Sequence, residues 1–151
     1  MLNVSSQNLR HAYKTHVKCL KSCANSNHPS LDLIRFYAAE CGLKYLVMQR
    51  ENLSNTNQIQ DRKKHPVLTH DLPSIIKFLG ISVHDLGGLS SPKPYISLEG
   101  DRKTISVKDA HEALRYGIDF LPDTNSSCAN SRQTLVDWLA KILQYLHSQI
   151  R

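Results

Sequence analysis

The sequence predicts an all-α fold, a bundle of four to five helices with a small β-hairpin inserted before the fourth helix. Apolar residues recur at spacings of three and four over several long segments. Cap and turn residues punctuate the ends of those segments, and just one short stretch alternates apolar with polar residues. A chain of 151 residues can bury about 70% of its unfolded surface around one core, so residues 1–151 are expected to form a single domain.

The first helix is expected from Ser5 to about Ala24. Leu9, Tyr13, His16, Val17, Leu20 and Cys23 make its apolar face, while Arg10, Lys14, Lys18 and Lys21 give a basic outer face. Turn residues Asn25 to Ser30 follow, with Pro29 and Ser30 suited to a helix start. The second helix, Leu31 to about Asn52, is apolar on more than one face and is therefore the central one. Its stretch from Phe36 to Met48 is interrupted by Glu40 and Lys44, and Ala38, Ala39 and Gly42 offer a close approach to a neighbouring helix.

Residues Leu53 to Lys64 turn polar and are expected as an exposed loop ending in Asp61-Arg62-Lys63-Lys64. Asp71 is the expected N-cap of a short helix from Leu72 to Leu79, with Pro73 in its first turn and Gly80 as its stop. Residues 89–107 hold the expected hairpin, with strands Tyr95 to Glu99 and Lys103 to Val107 around Gly100-Asp101. Ser106 and Asp109 resemble a capping box for a fourth helix bearing Ala110, Ala113 and Leu114, ended by Gly117 and Pro122. The last helix, from Ser131 to Ile150, carries Leu135, Trp138, Leu139, Ile142, Leu143 and Leu146 on one side.

Composition narrows the function classes. An apolar fraction of 40% with 21% charged residues is that of a folding chain rather than a disordered one. No run approaches the roughly 20 apolar residues of a membrane span, and Met1 opens no secretory signal, so a cytoplasmic protein is expected. Cys19, Cys23, Cys41 and Cys128 are accordingly read as thiols. A formal charge of +6 favours a polyanionic partner, because basic groups that neutralise phosphates release condensed counterions.

Motifs for familiar chemistry are missing. Cys19, Cys23, His16 and His28 lack the paired short spacings of a structural zinc site, so no metal is expected. Gly87-Gly88 and Gly100 are too sparse for a phosphate loop, and no cofactor is expected either. Two candidates remain. His70-Asp71 opens a short apolar helix just after the basic loop. Arg115-Tyr116 closes the fourth helix, where a guanidinium fork suits a phosphate and a ring suits a base. With Arg62, Lys63, Lys64 and His70, this pair makes the candidate set for RNA or nucleotide binding.

The order of these features resembles the HEPN superfamily of small helical domains in prokaryotic toxins, defence proteins and nucleotidyltransferase partners. Arg35-Phe-Tyr-Ala-Ala-Glu40-Cys-Gly-Leu-Lys44-Tyr-Leu46 is similar to the family's central helix, Thr69-His-Asp-Leu72 to the opening of its short helix, and Leu114-Arg-Tyr116 to the segment before its last helix. The resemblance implies a bundle whose second and last helices pack antiparallel, commonly as a homodimer, in a defence, toxin or mobile-element setting. It also implies either RNA or nucleotide binding, or metal-independent RNA cleavage by an arginine and a histidine four to six residues apart.

The sequence departs from that pattern. Neither Arg115 nor Arg132 has such a histidine downstream, and the one matching pair, Arg10 with His16, would point to different sides of a helix. A catalytic site would therefore have to join Arg115 to His111, four residues earlier on the same face, or to His70. A third reading, a noncatalytic interaction subunit of a larger complex, rests on Tyr37, Tyr45, Trp138 and Tyr145 as surplus aromatics.

Overall fold

A computed structural model describes residues 3–98, 101–122 and 131–151. It is mostly helical: α1 (Ser6–Ser22), α2 (Ser30–Arg50), α3 (Leu72–Leu79), α4 (Val107–Arg115) and α5 (Ser131–Gln149), with strands β1 (Tyr95–Leu98) and β2 (Asp101–Thr104) forming an antiparallel hairpin. Cys128 and Pro122's successors up to Asn130 lie outside the described residues, as does Gly100.

Helix α2 is the central element, and α1, α3, α4 and α5 all lie against it. Burial on several faces explains why its apolar pattern has no single stripe: Phe36, Ala38, Ala39, Leu43, Val47 and Met48 are fully enclosed. Gly42 makes the two-sided contact possible. A Cβ placed there would stand 2.6 Å from Leu146 of α5 and 2.9 Å from Tyr13 of α1, so hydrogen alone fits beneath them. Helix α5 turns Leu135, Trp138, Leu139, Ile142 and Leu146 into the core. Each such side chain contributes about 1.5–3 kcal/mol relative to exposure.

The helix ends follow their local chemistry. Ser5 caps α1 by accepting from Asn8 N–H at 3.0 Å while Asn8 Oδ1 accepts from Ser5 N–H at 3.2 Å, a reciprocal box with asparagine in place of the usual glutamate. Asp71 caps α3 through Ser74 N–H, and Gly80 ends it in the left-handed region at φ 69°. Both were expected.

Three expectations are corrected. Residues 53–64 are not simply an exposed loop, because Thr56 and Ile59 are buried and a short 3-10 turn spans Thr56–Gln58. Polar side chains there satisfy backbone groups: Val4 N–H donates to Thr56 Oγ1 and Thr56 N–H to Val4 O, both at 2.9 Å, which ties the start of α1 to the end of α2. The basic triplet itself, Arg62 to Lys64, is exposed.

The hairpin register also differs. Tyr95 pairs with Thr104 and Leu98 with Asp101, so Asp101 lies in a strand, not in the turn. Val107 instead opens α4, buried as its first residue. Apolar residues two apart, Ile105 and Val107, fit a strand end and a helix start equally well, which is why alternation misplaced them. The other edge of β1 is occupied too, as Ser97 N–H donates to Asp119 O and Leu121 N–H to Tyr95 O, both at 3.0 Å.

Finally, Ser106 and Asp109 do not form a capping box. The Ser106 hydroxyl donates to Asp109 Oδ2 at 2.8 Å and accepts nothing from the helix. The Asp109 carboxylate takes the hydroxyl proton of Ser106, and neither side chain bonds the backbone N–H that a box requires.

Among the described residues no helix is long and apolar enough to cross a membrane. Trp138 is buried, and Tyr37, Tyr45 and Tyr145 are half-buried against the core. These aromatics therefore contribute to the core.

Candidate functional site

Glu40 and Lys44 sit one turn apart on α2, the spacing at which side chains of a helix meet. Lys44 Nζ stands 2.5 Å from Glu40 Oε1, and both residues are buried. An ion pair removed from water needs further hydrogen bonds to offset its desolvation. His70 supplies one: its Nδ1 lies 3.0 Å from Oε1 and 3.1 Å from Oε2 of the same carboxylate. The carboxylate only accepts, so Nδ1 carries the proton, and a neutral His70 ring presents Nε2 as its base.

His70 reaches this position because it immediately precedes the capped start of α3, which packs on α2. Its ring is half exposed, and its inner face lies on His111 of α4, with ring centroids 4.6 Å apart and planes 29° from parallel. His111 is buried and donates from Nδ1 to Lys108 O at 2.6 Å, which orients this ring in the same tautomeric sense. Phe36 closes the far side at 5.5 Å from His111.

Arg115 is one turn beyond His111 on α4 and is exposed. Its Nη2 donates to Tyr37 Oη at 2.7 Å, and Tyr37 adjoins Phe36 on α2. Hydrogen bonds to the hydroxyls of Tyr37 and Tyr116 hold the guanidinium pKa above its ordinary value. Among the described residues no carboxylate forms an ion pair with Arg115, so its charge is oriented without being neutralised. Tyr116, 71% exposed, stands beside it.

The chain thus gathers His70, His111, Arg115 and Tyr116 where α2, α3 and α4 meet. Arg62, Lys63 and Lys64 form an exposed turn ahead of His70. Arg10 and His16 belong to α1; Arg10 donates to Arg151 O, while His16 faces Tyr37 at 6.4 Å. The pair does not act as a unit.

Comparison with protein-family models, curated proteins and solved structures gave no match to this chain.

Glu40 and Lys44 are the members of the cluster that sequence reasoning had not assigned to the site. Two opposite charges four apart inside the most apolar helix were the available signal. Cys41, next to Glu40, feels the same enclosure: burial and then the Glu40 charge push its thiol up to about 11, against a smaller opposing effect of Lys44. A second buried carboxylate, Asp32, takes Arg35 Nη1 and Arg132 Nε, each at 2.5 Å. It fastens the start of α5 to the start of α2 and leaves Arg132 a structural residue.

Proposed function

We propose that this chain is a HEPN-like helical domain that binds RNA or a nucleotide, with Arg115 receiving a phosphate, Tyr116 offering a face to a base and His70 lining the same patch. The single observation behind this is the state of Arg115, whose guanidinium is fixed by tyrosine hydroxyls and paired with no described carboxylate. A pre-oriented fork loses little freedom on taking a phosphate, and an exposed ring next to it suits an unpaired base. Arg62, Lys63 and Lys64 add diffuse attraction. Filter binding of a single-stranded RNA and of ATP at two salt concentrations tests the proposal. Affinity for both that ignores salt is incompatible with phosphate-driven binding.

A second reading, metal-independent RNA cleavage, is favoured by the stack of His70 on His111. Two imidazoles have Nδ1 anchored, one on Glu40 and one on Lys108 O. The Nε2 of a neutral ring would take the 2′-hydroxyl proton while the other ring, protonated at Nε2, gives its proton to the leaving 5′ oxygen, with Arg115 steadying the phosphorane. Incubation with a structured RNA in EDTA tests it. Cleavage that survives in both His111→Ala and Arg115→Ala removes these residues from the chemistry.

A further inference from the structure

Helices α1 and α5 both rest on α2, and a groove is left between them on the surface. It consists of two overlapping basins of about 480 and 530 Å³ that share Tyr13, Val17, Lys21 and His147. The floor is apolar, with Val17, Leu20, Leu143 and Ile150. The rim is basic, with Lys14, Lys18, Lys21 and Arg151. No aspartate or glutamate lines either basin, and none precedes Asp32 in the sequence.

We propose that this groove docks an acidic amphipathic helix of a partner protein, apolar side down and carboxylates against the lysine rim. Charge complementarity selects that occupant. A second copy of this chain would bring equally basic helices to the contact and meet repulsion. RNA would find the charge but not the floor: Tyr13 is buried, so it has no open ring on which a base could stack. An apolar floor flanked by cations instead matches helix-in-groove recognition, read as anchors at i, i+3, i+4 and i+7. The 17 residues of α1 span about 25 Å, enough for some four to five turns of a bound helix. This surface is separate from the patch around Arg115.

The test uses the full chain and a fluorescein-labelled 18-residue peptide with leucine at helical spacing and glutamate elsewhere. Anisotropy should show saturable binding. The triple variant Lys14→Glu/Lys18→Glu/Lys21→Glu, whose lysines are exposed, should keep the parent circular dichroism and bind at least about tenfold more weakly, as expected for lost charge complementarity. Val17→Arg, which blocks the floor, should do the same. A polyglutamate peptide of equal length should bind about tenfold less well, because it lacks the apolar anchors. The proposal is overturned by absent peptide binding, by polyglutamate binding as tightly, by charge reversal without effect, or by a single-stranded RNA binding these lysines more tightly than the peptide.

Discussion

The imidazole of His70 lies on that of His111 with centroids 4.6 Å apart, although 40 residues separate them in the chain. Two elements bring them there. Asp71 caps α3 and fixes where His70 leaves the turn, and Glu40 holds its Nδ1 from the central helix. The candidate site is therefore hung on a buried ion pair, and the first consequences concern that pair.

Removing either partner of Glu40–Lys44 leaves the other charge enclosed and unpaired. Glu40→Leu and Lys44→Leu should each cost about 3–5 kcal/mol, while the double variant should cost less than the two added together and could approach the parent. Urea unfolding followed by circular dichroism gives the cycle. Additive losses would show that the two charges do not interact across the helix turn.

Gly42→Ala should destabilise despite the roughly 1 kcal/mol by which alanine is the better helix former. Its Cβ would meet Leu146 and Tyr13 at less than van der Waals distance, and overpacking of this kind costs about 1–3 kcal/mol. Combining it with Leu146→Ala should give a smaller loss than the sum, because the side chain that clashes is gone. A more stable single variant would contradict the close approach of the three helices.

Stability should fall as pH drops below 6.5. Burial lowers the pKa of His16 from its ordinary 6.5, and burial lowers that of His65 against an opposing effect of Glu51. Above 6.5 both folded and unfolded chains hold these rings neutral. Below it the unfolded chain takes up protons that the folded one refuses, so stability is lost through that window. Urea midpoints at pH 7.5, 6.5 and 5.5 should decline, and less steeply in His16→Gln/His65→Gln. A flat or rising profile contradicts the burial of these rings.

Cys41 should resist alkylation in the folded state. With a thiol pushed from 9.0 to about 11, its thiolate is about a hundredfold scarcer at pH 8 than that of an ordinary cysteine. All three described thiols are partly exposed, yet iodoacetamide followed by peptide mass mapping should mark Cys19 and Cys23 well before Cys41. Equal labelling would mean that the α2 face around Glu40 opens readily.

The bundle was legible where a side chain's preference and its tertiary place agree. Leu135 to Leu146 repeat at helical spacing because one face of α5 is buried, and Gly80 stops α3 because only its φ of 69° suits that position. Legibility ended where one local pattern serves two structures. Ile105 and Val107 alternate as a strand would, yet Val107 belongs to α4. The polar run around Thr56 reads as solvent-exposed until Val4 is seen bonding it. For the site, His70, His111 and Arg115 could be nominated singly, but their meeting depends on α3 and α4 crossing α2, which no spacing encodes. Glu40 and Lys44 were visible as charges in an apolar helix, and only burial shows them to be the anchor.

The proposed binding patch depends on Arg115 carrying a phosphate contact. The most direct measurement is the affinity of a fluorescein-labelled single-stranded RNA for the parent and for Arg115→Ala at 50 and 200 mM salt. Arg115 is exposed, so the variant should fold as the parent does. Its affinity should fall about tenfold, equivalent to about 1.4 kcal/mol, with a salt slope shallower by about one phosphate contact. Unchanged affinity and slope in a folded Arg115→Ala would show that Arg115 holds no phosphate.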